Sequence, residues 1–208
     1  MKVLLINGSP RPKGCTYTAL SEISARLENH GIETELFQLG AQPIRGCTAC
    51  RKCTGGSHRC VFDDGNVNVV LEKMEQSDGL IIGSPVYFAS ANGALTAFLD
   101  RMFFAGDCFF CKPAAAVVSA RRAGTTATLD QLNKYFTIKN MPVVPSRYWN
   151  MVHGSSPEEV RQDLEGLQTM RILADNMAWM LNCLSAGRKA GFLPPTLPDP
   201  MVFTNFIR

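Results

Sequence analysis

The chain has 208 residues, 46% of them hydrophobic and 19% charged, the proportions of a folded globular domain and not of a disordered one. At this length folding hides roughly 70% of the chain's surface, so a core forms without disulfide support. The 21 Lys and Arg against 18 Asp and Glu leave a net charge of +3, too small and too scattered to point to nucleic acid or an anionic membrane.

Apolar runs rich in Val, Ile, Leu and Ala at residues 2–6, 32–39, 80–83, 114–119 and 141–144 predict five strands. Their near-continuous apolar character suits parallel strands covered on both faces. Leu20, Ile23 and Leu27 form one helical stripe, which Gly31 ends. Val67, Val70, Leu71 and Met74 form a second, with Asp64 as its expected N-cap. Leu95, Leu99 and Met102 form a third beside Phe98 and Phe103, and Leu129 and Leu132 mark a fourth. The last helix starts at Ser156, with Pro157 in its first turn and Glu158 and Glu159 on the positive end of its dipole. It is expected to run to about Cys183.

Strands alternating with helices predict a doubly wound α/β fold, a five-stranded parallel sheet with a cysteine-rich insertion after the second strand. Such sheets bind ligands beyond the carboxyl ends of their strands, beside the switch point in strand order. The domain is expected to span residues 1–184, with the insertion at 40–63. Residues 185–208, which hold Pro194, Pro195, Pro198 and Pro200, are expected to run as an extended tail. No apolar run approaches the ~20 residues of a membrane helix, and the amino terminus is too short in apolar residues for a signal peptide. The expected location is therefore cytoplasmic, where eight cysteines read as reduced thiols, metal ligands or core packing.

The segment from Asn7 to Thr16 joins the first strand to the first helix. It combines Gly8, Ser9, Arg11, Lys13, Gly14 and Thr16 with the free N–H groups of a helix start, the parts of a phosphate cradle. It is neither a Walker loop nor a Gly-x-Gly-x-x-Gly fingerprint. The plain alternative is a proline-containing turn with an ordinary cap.

Cys47-x2-Cys50-x2-Cys53-x6-Cys60 puts four thiols within fourteen residues. Three at intervals of three can face one small object, and the fourth can return through Gly55-Gly56, as in a loop holding a cubane iron–sulfur cluster. Zinc on the same thiols, with His58 as a substitute ligand, is one alternative. The same cysteines without a cluster, and thiols that merely pack, are the others. The neighbours Arg51, Lys52, His58 and Arg59 favour thiolates. Cys108-x2-Cys111 and Cys183 read as packing, Asp63-Asp64 as a helix cap and His30 as solvated. His153 lies beside Tyr148 and Trp149 after the fifth predicted strand.

Gly8-Ser9-Pro10-Arg11 followed by Gly14-x-Thr16 resembles the phosphate loop of the flavodoxin-like NAD(P)H-dependent FMN reductases. The resemblance continues through Ser84-Pro85-Val86-Tyr87-Phe88 and Ser119-Ala120-Arg121-Arg122-Ala123-Gly124-Thr125, each after a predicted strand. Where the family most often has Asn, this chain has Cys15. The cysteine spacing resembles that of the iron–sulfur flavoproteins, a branch of the same family with a 4Fe–4S cluster in this insertion.

The resemblance implies that Ser9, Arg11, Gly14, Cys15 and Thr16 hold the FMN phosphate. It implies that Pro85, Val86, Tyr87 and Phe88 line the isoalloxazine ring, with the turn at Pro85 aiming backbone N–H groups at it. Ala120, Arg121 and Gly124 would meet the pyrimidine edge, and Cys47, Cys50, Cys53 and Cys60 would hold the cluster. The implied reaction passes electrons from NAD(P)H, or through the cluster, to a quinone, a flavin, oxygen or a redox protein. No general acid or base is expected, because flavin chemistry needs none. The resemblance also implies a homodimer or homotetramer. A non-enzymatic flavin and iron–sulfur electron carrier is the alternative function, and a zinc-stabilised regulatory module a third.

Overall fold

The computed structural model describes residues 1–196 together with Val202 and Thr204. Five parallel strands, β1 (Lys2–Asn7), β2 (Glu33–Gln38), β3 (Gly79–Tyr87), β5 (Ala114–Ala120) and β6 (Met151–His153), lie in the order β2-β1-β3-β5-β6. The short β4 (Ser90–Ala91) folds back antiparallel on β3. The helices are α1 (Cys15–Asn29), α2 (Val67–Glu75), α3 (Gly93–Ala105), α4 (Thr125–Ile138), α5 (Pro157–Gln162) and α6 (Leu164–Lys189). The strand order reverses beside β1, so the loops after β1 and β3 flank the crevice where an open α/β sheet takes its ligand.

The continuous apolar strands are split between two cores by the alternation of their side chains. Leu4 and Ile6 of β1 join Leu80 and Ile82 of β3 against α2, α3 and α4. Val3, Leu5 and Ile81 join Ala115 and Val117 of β5 against α1 and α6. All four apolar positions of β1 are fully buried, each such Leu, Ile or Val stabilising the fold by about 1.5–3 kcal/mol. Arg26 Nε to Asp175 at 2.7 Å and Arg171 to Glu22 at 2.6 Å tie α1 to α6 along their outer edges.

Several expectations need correction. The fifth strand of the sheet is residues 151–153, while the predicted 141–144 makes only an isolated bridge, Val143 to Ala114. Pro142 and Pro145 have no N–H to donate, so the edge pairs at its two ends and bulges between them. Asn150 fills the gap by donating from Nδ2 to the Ala116 carbonyl (3.1 Å). The last predicted helix is two helices, because Asp163 leaves helical geometry and caps α6 by accepting from Gly166 N–H (2.9 Å). α6 runs on to Lys189, so residues 185–189 are helical and not tail. Residues 192–196 carry no regular structure, and the extended reading of 197–201, 203 and 205–208 lies outside the described residues.

Asp64 does not cap α2. Gly65 and Asn66 are both left-handed (φ 78° and 55°), and Asp64 Oδ2 instead accepts from Arg45 N–H (2.7 Å). Cys183 is exposed and not in the core. His30 is exposed as expected but pairs with Asp175 at 2.6 Å.

Candidate functional site

The loop after β1 is built before any ligand arrives. Asn7 is fully buried at the end of β1 and donates to Gln38 Oε1 of β2 (2.6 Å). Gln38 Nε2 donates to the Ser9 carbonyl (2.7 Å), and Ser9 N–H donates to Asn7 Oδ1 (3.1 Å). Ser9 Oγ accepts from Arg11 N–H (3.2 Å). Gly8 N–H donates to the Gly83 carbonyl (2.8 Å), an approach only glycine allows, since a Cβ at position 8 would lie 2.5 Å from Leu95 and 2.9 Å from that carbonyl. Gly14 is the N-cap of α1 and supplies no side-chain acceptor, so first-turn N–H groups remain for an anion.

Cross-links bring the three predicted loops to one rim. Buried Thr16 Oγ1 and Ser119 Oγ of β5 are 2.8 Å apart. Ala120 accepts from Gly154 N–H (3.0 Å), and the Cys15 thiol donates weakly to the Gly154 carbonyl (3.6 Å). Burial raises the Cys15 thiol pKa above its ordinary value. Arg11, Lys13, Arg121 and Arg122 are exposed on this rim, and among the described residues none of them makes an ion pair.

The wall after β3 differs from expectation. Pro85 imposes no turn; β3 continues through it, opposite Ser119, to Tyr87. The chain reverses at Phe88 and Ala89, both left-handed (φ 52° and 58°), between the pairs Val86–Ala91 and Tyr87–Ser90. Two positive-φ residues are the geometry of a primed hairpin turn. Gln131 of α4 pins the returning strand, accepting from Ser90 Oγ (2.9 Å) and Ala91 N–H (2.8 Å). Phe88 stands fully exposed at the hairpin tip, and Tyr87 is 46% exposed. Gly124 has φ 95°, and a Cβ there would meet Ala89 Cα at 2.8 Å, so glycine lets the hairpin rest on the 120–124 loop.

All four predicted cysteine ligands line a single cleft with Arg101 and Phe104 of α3. Cys53 is buried, Cys60 half-buried, and Cys47 and Cys50 exposed. Left-handed residues fall in every gap of the motif: Ala49 (φ 52°), Arg51 (φ 57°), and Gly56 with His58 (φ 95° and 48°). They reverse the chain repeatedly and keep the thiols on one side. The Lys52 N–H lowers the Cys50 thiol pKa. Burial first, then the charges of the other three cysteines, raises that of Cys53. Among the described residues no three His, Cys, Asp or Glu side chains are gathered closely enough to hold one metal ion. Cys108 and Cys111 sit elsewhere, partly buried.

Two residues that hold Cys60 carry no motif. Arg101 Nε donates to Cys60 Sγ (3.2 Å), and Asn68 of α2 exchanges two 2.8 Å hydrogen bonds with the Cys60 backbone. The signal for Arg101 was a cation on the apolar stripe of Phe98, Met102 and Ala105; Asn68 gave none.

Residues 1–156 match the family model described as NADPH-dependent FMN reductase. An iron–sulfur flavoprotein of Methanocaldococcus jannaschii is 33% identical, over 86% of this chain and 96% of its own. One from Methanosarcina thermophila is 28% identical, over 90% and 99%. In fold the chain is similar to RosB with bound 8-demethyl-8-formylriboflavin-5'-phosphate, with a TM-score of 0.70 at 15% identity over 100% of this chain and 96% of that one. With this fold and these relatives, the chain belongs to the NADPH-dependent FMN reductase family, alongside the iron–sulfur flavoproteins, and is a flavin-dependent oxidoreductase.

Proposed function

We propose that the three-loop rim binds FMN, and that the chain passes electrons from NAD(P)H to a small-molecule or redox-protein acceptor with a 4Fe–4S cluster on the cysteine cleft. The observation that carries the reading is the set of cross-links at the rim: Gly8 to Gly83 within β3, Thr16 of α1 to Ser119 of β5, and Gly124 after β5 beneath Ala89 of the β3–β4 turn. A site held together by its own hydrogen bonds is oriented before binding, and the ordering cost falls on the fold instead of the ligand.

In this reading the Ser9 and Thr16 hydroxyls, the Arg11 guanidinium and the first-turn N–H groups of α1 grip the phosphate. Gly14 lets the chain turn into that helix, and Cys15 contributes its backbone N–H, its thiol being engaged with Gly154. Pro85, Val86, Tyr87 and Phe88 form the wall beside the ring and exclude water from one side. Ala120, Arg121 and Gly124 meet the pyrimidine edge, where a donor or cation stabilises negative charge. FMN, when bound, supplies the hydride-accepting centre, and the protein supplies orientation and electrostatics.

Cys47, Cys50, Cys53 and Cys60 fit a cluster better than a single ion. They share one cleft but are not gathered around one point, and a multi-atom inorganic core spans such a spread. The charges of Cys60, Cys47 and Cys50 add to burial in raising the Cys53 thiol pKa, and cationic iron would offset that cost. A flavin domain that runs through α6 to Lys189, and a homodimeric or homotetrameric assembly in the cytoplasm, complete the proposal.

Purification without oxygen, followed by absorbance, iron and sulfide analysis and steady-state NADPH oxidation with an artificial acceptor, tests it. The expected protein is coloured, carries FMN and iron, and turns over. Protein that stays colourless in excess riboflavin phosphate overturns the reading. Bound FMN without turnover favours the electron carrier.

A further inference from the structure

Arg101 lies within α3 with its side chain 1% exposed. A guanidinium out of water needs partners for all its N–H groups. Nη2 donates to the Phe62 carbonyl (2.6 Å) and Nη1 to the Arg45 carbonyl (3.2 Å). Among the described residues its one carboxylate partner is Asp64, 3.1 Å from Nη1, itself 34% exposed and already accepting from Arg45 N–H. The remaining edge, Nε, points at Cys60 Sγ (3.2 Å). A buried cation is costly wherever an apolar side chain would fill the space. Stapling two carbonyls needs only a neutral donor, and the half-buried Asp64 answers the charge on the Nη1 side alone. Asp64 on one edge balances part of the charge, and the other edge presents it to the Cys60 sulfur.

Cys60 is also held from two helices at once. Asn68 fixes its backbone from α2 on both the N–H and the carbonyl side, while Arg101 reaches its sulfur from α3. Cys47 and Cys50 are exposed and have no such double anchorage among the described contacts. Cys60, together with the buried Cys53, is therefore a ligand that the rigid part of the fold presents.

We propose that Arg101 is a positioning residue for the cluster: it fixes Cys60 as a ligand and, through its N–H bond and buried charge, raises the cluster's reduction potential. This rests on the cluster reading above. Reduction of a cluster by one electron adds one negative charge, which a nearby cation stabilises and a neutral side chain does not. Asp64 offsets part of that charge, so a residual effect of about tenfold on the reduction equilibrium is expected.

The test compares the wild type with Arg101→Gln and Arg101→Lys, all purified without oxygen. FMN, iron and sulfide per chain are measured, together with the cluster's midpoint potential by spin-resonance-monitored titration with dithionite. The Gln variant is expected to keep FMN and to show a potential about 59 mV more negative, the equivalent of tenfold for one electron. The Lys variant, which keeps charge without the planar fork, is expected in between. If Gln keeps FMN but loses iron, the Lys potential decides: a negative shift supports the proposal and the wild-type value overturns it. A full cluster at the wild-type potential in Gln overturns it too, and leaves the cluster reading standing. Wild-type protein without iron and sulfide overturns both.

Discussion

The rim loops and the cysteine segment gather functional groups by opposite means. The rim is an extension of the sheet: Asn7 and Ser119 are buried near the ends of β1 and β5 and Ser84 is buried within β3, and their hydrogen bonds to Ser9, Thr16 and Asn92 hold the rim segments. The cysteine segment has no strand and only one short helical turn, Lys52–Gly55. It is held to the body by Arg101, Asn68 and the buried Cys53, and bends at four left-handed residues. Three of those four are not glycine, a strain of about 1 kcal/mol or more each. A hydrogen-bonded loop can be complete before its ligand binds, whereas on the cluster reading the cysteine segment would gain stability when metal arrives.

If the two regions are independent, breaking one leaves the other intact. The largest effect is expected from Cys50→Ser, since Cys50 is exposed and its loss leaves the core untouched. Iron, sulfide and the cluster's visible bands are expected to disappear while FMN remains at the wild-type ratio. Iron and sulfide retained in this variant would remove Cys50 from the ligand set.

The converse variant is Gly124→Ala, which forces a Cβ onto a φ of 95° and to 2.8 Å from Ala89 Cα. The strain is about 2 kcal/mol, or roughly thirtyfold in FMN affinity if the hairpin moves to relieve it. Fluorescence titration of FMN reads it, with iron content unchanged. Thr16→Val probes the same rim more gently. It removes the hydroxyl that meets Ser119 and leaves a buried Ser119 Oγ without that partner. A loss of about 1–2 kcal/mol in FMN binding is expected, with Thr16→Ser restoring it. Equal affinities for all three proteins would mean that the phosphate lies elsewhere.

The rim was legible in the sequence because its signals are local. Each loop follows an apolar run, and its Gly, Ser, Thr and Arg sit at fixed offsets from the strand end. What failed was whatever depended on a distant partner. Residues 141–144 have the composition of a strand, but Pro142 and Pro145 break its ladder where it must meet β5. Pro85 looks like a turn former, yet its missing N–H does not interrupt the pairing of β3 with β5, and the turn falls three residues later. Asp64 has the right spacing for a cap, but Gly65 turns the chain and gives its carboxylate to Arg45 and Arg101. The cysteines were legible as a motif, while the residue touching Cys60 lies 41 positions away in a helix.

The smallest effect tests how the cysteine segment is moored to the sheet. α2 carries Asn68, and its Lys73 pairs with Glu35 of β2, which also pairs with Lys2 of β1 (2.7 Å). The Lys2 and then the Lys73 ammonium hold the Glu35 carboxyl below its ordinary pKa. A carboxyl whose folded value is depressed adds stability above its unfolded value of about 4.3, and that stability is lost as pH falls through the folded value. Glu35→Gln is therefore expected to cost about 1 kcal/mol at pH 7, a drop of about 2–4 °C in Tm at this chain length. The difference should shrink toward zero below about pH 4, and also in 1 M salt, where screening acts over about 3 Å. The melts are best run in the Cys50→Ser background, so that acid loss of a cluster does not enter. A difference that stays constant from pH 7 into the acid range would mean that Glu35 acts through packing. α2 would then be moored by its apolar face, Val67, Val70, Leu71 and Met74, and the ion pairs at the sheet edge would have no part in presenting Cys60.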